Sequence, residues 1–367
     1  MISFSRKTAR TGTVLALLYA SLMTLQAQSA TSRIVSAANT FLSTLNDKQR
    51  QSVLFAFDDA KQRANWSNFP IVMVPRSGIN LKEMSATQRA AAMALLSSVL
   101  SPRGFEKVQQ IMEGDEINKN TDTGPPQSGN NGGGPPPRRS SSRPPFGNGP
   151  IFGKDLYFIS FLGKPSEKDP WMLQFGGHHL ALNITIAGEH GVLTPTLTGA
   201  QPALYTFEGK TVRPLGGESD QALALLNALD ASQKKQAILG FQLADLVLGP
   251  GQDGKTIQPE GLKASAMNAM QRAMLLGVIS EWANIIDESA AATRMAELKA
   301  DLNETWFAWS GPVTAEPGKN ITAYYRIQGP HLVIEYAPQR LGGDPSMHVH
   351  TMYRDPTNDY GRRFTAK

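Results

Sequence analysis

The sequence predicts an α+β chain that is internally duplicated, with helices followed by a β-hairpin in each copy and a pseudo-twofold axis relating the copies. Three observations predict it. The two halves align in three ordered blocks, apolar residues recur at helical spacing early in each half, and aromatic and β-branched runs bounded by Gly or Pro come later.

The first block lays residues 41–57 over 225–241, matching Leu42, Leu45, Gln49 and Phe57 to Leu226, Leu229, Gln233 and Phe241 at a shift of 184. The second pairs Gly78, Met84, Ala86, Gln88, Arg89 and Ala90 with Gly261, Met267, Ala269, Gln271, Arg272 and Ala273 at a shift of 183. The third sets Gly177, His179 and Leu180 on Gly329, His331 and Leu332, and Asn183 on Glu335, at a shift of 152. The 31 residues lost between 183 and 152 fall in a Pro/Gly/Asn/Ser-rich stretch, 118–150, that has no counterpart in the second half.

Taken in order, residues 1–30 read as an export signal: Arg6, Lys7 and Arg10 precede a short apolar run from Val14 to Leu25 and small residues around Ala27 and Ala30. The run is shorter than the roughly 20 residues a membrane span needs. No membrane span is expected once the signal is removed, and the chain is expected to be periplasmic or secreted. Residues 31–117 are the helical part of the first copy, with helical periodicity over 37–62 and 85–112 and a capping box in Ser85-Ala86-Thr87-Gln88. Residues 118–150 form the linker, expected to be disordered. Residues 151–215 are the β part of the first copy, with strands expected over 156–162, 171–175 and 180–186. Residues 216–304 are the helical part of the second copy, over 222–248, 265–286 and 288–302, and residues 305–367 its β part, with strands over 305–309, 321–327 and 332–336. Gly176-Gly177 and Gly329-Pro330 are expected at the turns of two hairpins.

The formal charge of +5 falls to +2 without the three basic residues of the signal, and Arg138, Arg139 and Arg143 in the linker outweigh Asp122 by two more. The folded body is near neutral and has no basic face with interleaved aromatics, so nucleic acid is not an expected partner. There is no cysteine, so disulfides do not hold this exported chain and packing must. GxSxG, HExxH and P-loop motifs are absent as well.

The chemistry is expected in the six histidines, all of which fall in strand-rich parts. With two-residue periodicity, His179 shares a face with Ala181, Asn183 and Thr185, and His331 shares the equivalent face with Val333 and Glu335. His178 falls on the opposite, apolar side and reads as structural. His190 ahead of Thr194-Pro195-Thr196 matches His350 ahead of Asp355-Pro356-Thr357 at shifts of 160 and 161. Convergence about the axis would bring together His179, His190, His331 and His350, with His348, Glu335 and Glu189 as further candidates. Imidazoles with a carboxylate suit zinc, copper or iron. His348-Val349-His350 strengthens the metal reading, since residues two apart on a strand point the same way. Arg354 and Asp355 are candidates for binding an anionic group or orienting a ligand imidazole, or else for an ion pair around Pro356.

The runs GGHHLALNITI, TPTLTGAQP, YYRIQGPHLVIEYAP and HVHTMYRDPTNDYG resemble the motifs of a bacterial family of exported proteins catalogued as domain of unknown function 3500. The resemblance covers about 41–361, with the closing HxHTxxRDPxNDYG its most specific part. It implies export and one repeated architecture, and it carries over no catalytic residues. Two functions stay open. One is a histidine-based metal-binding protein, as a hydrolase with Glu335 or Glu189 as general base or as a copper or iron oxidoreductase. The other is a metal-free module binding a small molecule, sugar or peptide in a cleft lined by Trp171, Trp306, Trp309, Tyr324 and Tyr325. A structural or assembly role has less support from the residues.

Overall fold

The structure, a computed structural model, describes residues 29–121, 152–340 and 343–365. The expected signal, up to residue 28, and the expected linker from residue 122 lie outside the described residues.

α1 (Ala30–Ser43) begins at Ser29, whose hydroxyl accepts the Ser32 N–H, and buries Ile34, Val35, Ala38, Phe41 and Leu42 at three- and four-residue spacing. Asn46 then interrupts the periodic run, because its side chain and that of Gln49 form the capping box of α2 (Asp47–Val53). β1 (Leu54–Phe55), α3 (Ala60–Arg63) and β2 (Ile79–Asn80) follow. α4 (Ala86–Val99) opens on the Ser85/Gln88 capping box. α5 (Pro102–Thr121) starts with proline, whose missing N–H costs nothing at a first helical position. It continues through Asn118, where the linker was expected to begin.

The first run of strands is β3 (Phe158–Leu162), β4 (Trp171–Gly177), β5 (Leu180–Ala187), β6 (His190–Val192), β7 (Thr196–Ala200), β8 (Tyr205–Phe207) and β9 (Lys210–Val212). α6 (Gly216–Ala228) and α7 (Ala231–Ala237) come next, then β10 (Leu262–Lys263), α8 (Ala269–Ala283) and α9 (Glu288–Ala300). β11 (Trp306–Ser310), β12 (Tyr324–Gly329), β13 (Leu332–Pro338), β14 (Val349–Arg354) and α10 (Arg362–Thr365) complete the chain. The helical reading of 222–248 fails after Ala237. There Ile238 bridges Trp309 and the Leu239 N–H bonds the Trp309 carbonyl, so pairing with the sheet edge overrides the periodicity.

Among the described residues, twelve strands form one mixed sheet with the path β1-β3-β4-β5-β7-β14-β13-β12-β11-β10. β7, short and containing Gly199, and β14 are the central pair, and β7 was not expected as a strand. One face packs against the helices in the main core, where Leu180, Leu182, Ile184, Val349 and Tyr353 point. The other face carries Ala181, Leu197 and Met352 and is covered by irregular chain bearing Trp66 and Leu246.

The same local devices recur in both halves. Gln49 and Gln88 bond each other, and Gln88 donates to the Thr44 carbonyl; Gln233 and Gln271 do the same, with Gln271 donating to Ala228. Gly78 and Gly261 have φ of +103° and +95°, and a Cβ on either would sit 2.2 Å from a strand carbonyl oxygen, of Ile159 or of Phe307. Only glycine fits there.

Candidate metal centre

Gly177 pairs with Leu180 across the β4–β5 hairpin, so His178 and His179 are its two-residue turn. The expected placement of His179 on a strand face is thus corrected: its φ is +58°, left-handed, and alternation along β5 starts one residue after it. Such a conformation costs a residue with a Cβ about 1–2 kcal/mol. Two backbone hydrogen bonds hold it, from the His179 N–H to the Asn68 carbonyl (3.1 Å) and from the Gly199 N–H to the His179 carbonyl (2.7 Å).

The other two imidazoles come from His348, just ahead of β14, and His350 within it. Val349 faces the helices and Met352 the opposite side, so alternation turns His350 toward the loop-covered face. His350 pairs with Gly199 on β7. A Cβ on Gly199 would meet the Cβ and Cδ2 of His179 at 3.2 Å and the Val349 carbonyl oxygen at 2.8 Å. This glycine leaves the space into which the His179 ring drops.

The Nε2 atoms of His179, His348 and His350 stand 3.0, 3.1 and 3.2 Å apart in a triangle. Each Nε2 of a neutral imidazole is either a donor or a bare acceptor, so protons cannot satisfy three mutual contacts; one side always joins like to like. One cation among three lone pairs satisfies all of them. At metal–nitrogen bonds of about 2.0–2.1 Å, ligand nitrogens lie about 2.9 Å apart at right angles and about 3.3 Å apart in a tetrahedron, and the observed spacings fall between. The residues are 2, 7 and 6% exposed.

Burial, followed by the imidazoles of His178, His350 and His348, holds the His179 pKa well below the usual histidine value. Burial also lowers that of His350, against the pull of Asp245. Both shifts favour the neutral imidazole, the state in which the ring ligates. Asp245 lies 3.6 Å from His350 Nδ1 with its side chain 61% exposed, and it accepts a hydrogen bond from Gln339. Burial would raise the Asp245 carboxyl, but the bonds to His350 and to the Leu246 N–H prevail and lower it. The Asn68 amide approaches the His350 ring at 3.4 Å.

A second cluster adjoins the first. His178 Nδ1 contacts Asp115 Oδ1 on α5 at 2.6 Å, and Asp115 Oδ2 accepts the Tyr157 hydroxyl at 2.9 Å. The His178 and His179 ring centroids are 3.6 Å apart. Burial raises the Asp115 carboxyl, opposed by His178. Both {His179, His348, His350} and {Asp115, His178, His179} are buried sets able to hold a metal ion. His178 is thus paired with a carboxylate instead of facing an apolar side.

The other expected site residues do not join these clusters. His190 is exposed, stacks on Phe364 at 4.2 Å and lines a surface hollow with Glu189. His331 is the second residue of the β12–β13 turn, with Nδ1 2.9 Å from the Thr357 hydroxyl and 2.7 Å from Arg363. Glu335 is fully buried, but its carboxylate accepts the N–H groups of Val247 and Leu248 at 2.7 Å and the Tyr324 hydroxyl at 2.6 Å, so it pins a loop instead of facing the imidazoles. Arg354 donates to the Leu248 and Gly249 carbonyls and pairs with Asp253 and Asp359, which leaves it no anion to bind. Asp355 pairs with Arg294. The aromatic cleft does not form either: Trp171, Trp309, Tyr324 and Tyr325 are in the interior.

Sequence reasoning missed Asp115, Asp245, Asn68 and Gly199. Asp115 and Asp245 sit in stretches without histidine or repeat signal, and only Gly199, inside TPTLTGAQP, lay in a motif already singled out.

Residues 27–362 match the model of a family described as Protein of unknown function (DUF3500), and the chain belongs to that family. No curated protein and no solved structure matches the chain.

Proposed function

We propose that this member of the DUF3500 family is an exported metalloprotein with one transition-metal ion on the Nε2 atoms of His179, His348 and His350, acting as a metal-dependent enzyme on a small polar molecule. The triangle of nitrogens 3.0–3.2 Å apart is the observation that carries this reading. Three imidazoles without sulfur suit zinc, copper or iron, and three protein ligands leave a position for water or substrate. Zinc would make the chemistry hydrolytic by lowering the pKa of a bound water, with the half-exposed Asp245 beside it. Copper or iron would make it redox. A shallow hollow begins beside the turn, lined by Trp66, Ser67, Arg76, Gln174, Gly176 and Asn183, and its polar wall with one guanidinium suits a polar substrate.

Two wider readings accompany this one. Export rests on the basic and apolar residues ahead of position 30. Duplication rests on the three aligned blocks, the matched capping boxes and glycines, and a strand order that reads β3-β4-β5-β7 from one side and β11-β12-β13-β14 from the other.

Elemental mass spectrometry of the mature protein tests the metal. We expect about one equivalent or more of a transition metal in the parent, with the His348→Ala/His350→Ala variant losing the ion these residues hold. Equal metal content in parent and variant, or none in a parent reloaded with zinc, copper and iron, would falsify the reading.

A further inference from the structure

Resting on that metal reading, we propose that the chain holds a second divalent transition-metal ion on Asp115, His178 and the Nδ1 of His179, so that the His179 imidazole bridges two ions. The observation is a buried atom without a partner. Among the described residues, His179 Nδ1 has no hydrogen-bond partner. If Nε2 ligates the first ion, a neutral imidazole carries its proton on Nδ1, and a buried N–H with no acceptor is costly. A second cation removes that cost by taking the place of the proton.

The residues to hold it are present. Asp115, His178 and His179 each bring a ligand atom within 4.8 Å of the others, and all are buried. Tyr157 donates to one Asp115 oxygen and also to the His178 carbonyl, both at 2.9 Å, which fixes the carboxylate toward the turn. Asp115 Oδ1 and His178 Nδ1 now share a proton at 2.6 Å. Loading displaces that proton, and as ligands of one ion the two atoms separate to about 2.9 Å or more. The proton of His179 Nδ1 leaves as well, and the imidazolate so formed puts one negative charge between the ions, while Asp115 supplies a second to the inner ion alone.

Two ions across one imidazole lie about 6 Å apart, given bonds of about 2.0 Å on each side of the ring. This exceeds the roughly 3.5–4 Å at which paired ions clamp one oxygen. The inner ion therefore does not share substrate with the outer one, and it acts through the ring to tune the outer ion.

The test is a count on the full mature chain, stripped of metal, reloaded with zinc alone, desalted and measured by elemental mass spectrometry. We expect two equivalents in the parent, one in Asp115→Asn, one in His348→Ala and none in His179→Ala. One equivalent in the parent, or two in both the parent and Asp115→Asn, overturns the second site while leaving the imidazole triangle intact. No zinc in the parent overturns both readings. Should Asp115→Asn fail to fold, copper loading of the parent decides: a spin-coupled pair supports the bridge, and two isolated copper signals refute it.

Discussion

Two hairpin turns of the sheet share a frame and end differently. In each, a glycine pairs with a leucine across a two-residue turn whose second residue is histidine, Gly177 with Leu180 around His179 and Gly329 with Leu332 around His331. His179 is left-handed, buried and tied by backbone to Asn68 and Gly199, with its ring among His348 and His350. His331 follows Pro330, whose ring fixes φ near −65°, and its side chain is 35% exposed beside Thr357, Arg363 and, at 3.8 Å, Asp301. Similar local sequence thus closes both hairpins over two residues, but only His179 is left-handed, and what lies beneath each turn decides the chemistry. Beneath the first is the end of the central strand pair, where a glycine leaves space and an HxH supplies two rings. Beneath the second are hydroxyl and guanidinium groups.

The sharpest way to break this comparison is to remove each histidine in turn. His179→Ala should weaken metal binding by more than about a hundredfold, roughly 2.7 kcal/mol or more, whereas His331→Ala should leave it unchanged and cost under about 0.5 kcal/mol of stability. Calorimetric titration of the metal-free proteins checks both, and equal losses would end the distinction between the turns. Where the halves agree, the effects should agree as well. Gly78→Ala and Gly261→Ala should each destabilise by about 2–4 kcal/mol, since a Cβ would meet a strand carbonyl oxygen in a positive-φ position; chemical denaturation giving a large loss at one and none at the other would count against matched halves.

A smaller effect is expected behind the first turn's ligands. Asp245→Asn should weaken metal binding about 10- to 100-fold without touching the fold, because it removes the charged partner of the His350 ring. Unchanged affinity would show that Asp245 only lies nearby. The smallest effect is on pH dependence without metal. The folded pKa values of His179 and His350 are lowered, so below about pH 6.5 the unfolded chain takes up protons that the folded chain refuses. The stability these rings contribute is present above that pH and lost as pH falls through it. Urea midpoints between pH 7 and 5 should therefore fall more steeply for the parent than for His179→Ala, and parallel slopes would refute the assignment.

The closing RDPTNDYG stretch shows how a motif misleads. Read locally, Arg354 beside a histidine pair invites an anion. In the fold, Arg354 holds the Leu248 and Gly249 carbonyls and Asp253, while the Tyr360 hydroxyl donates to Asp253 and accepts the Trp66 indole N–H. The motif fastens to the sheet the two covering loops, one bearing Asn68 and the other Asp245. It is part of a many-sided buried network, whose partners lie far away along the chain.

By itself the sequence determined what short-range physics controls. Capping side chains set where helices begin, as at Ser85 and Gln88, and alternating apolar residues set the strands of both hairpins. HxH spacing put the rings of His348 and His350 on one side of the chain as it enters β14. Tertiary structure decided the rest. Whether the chain after Ala237 continued as helix or bridged the sheet edge at Ile238, that His179 was a turn residue, and which of six histidines met all depended on pairing between distant segments. Asp115 and Asp245 reach the site from a helix and a loop with no signal of their own, because burial and proximity belong to the packed chain and not to any stretch of it.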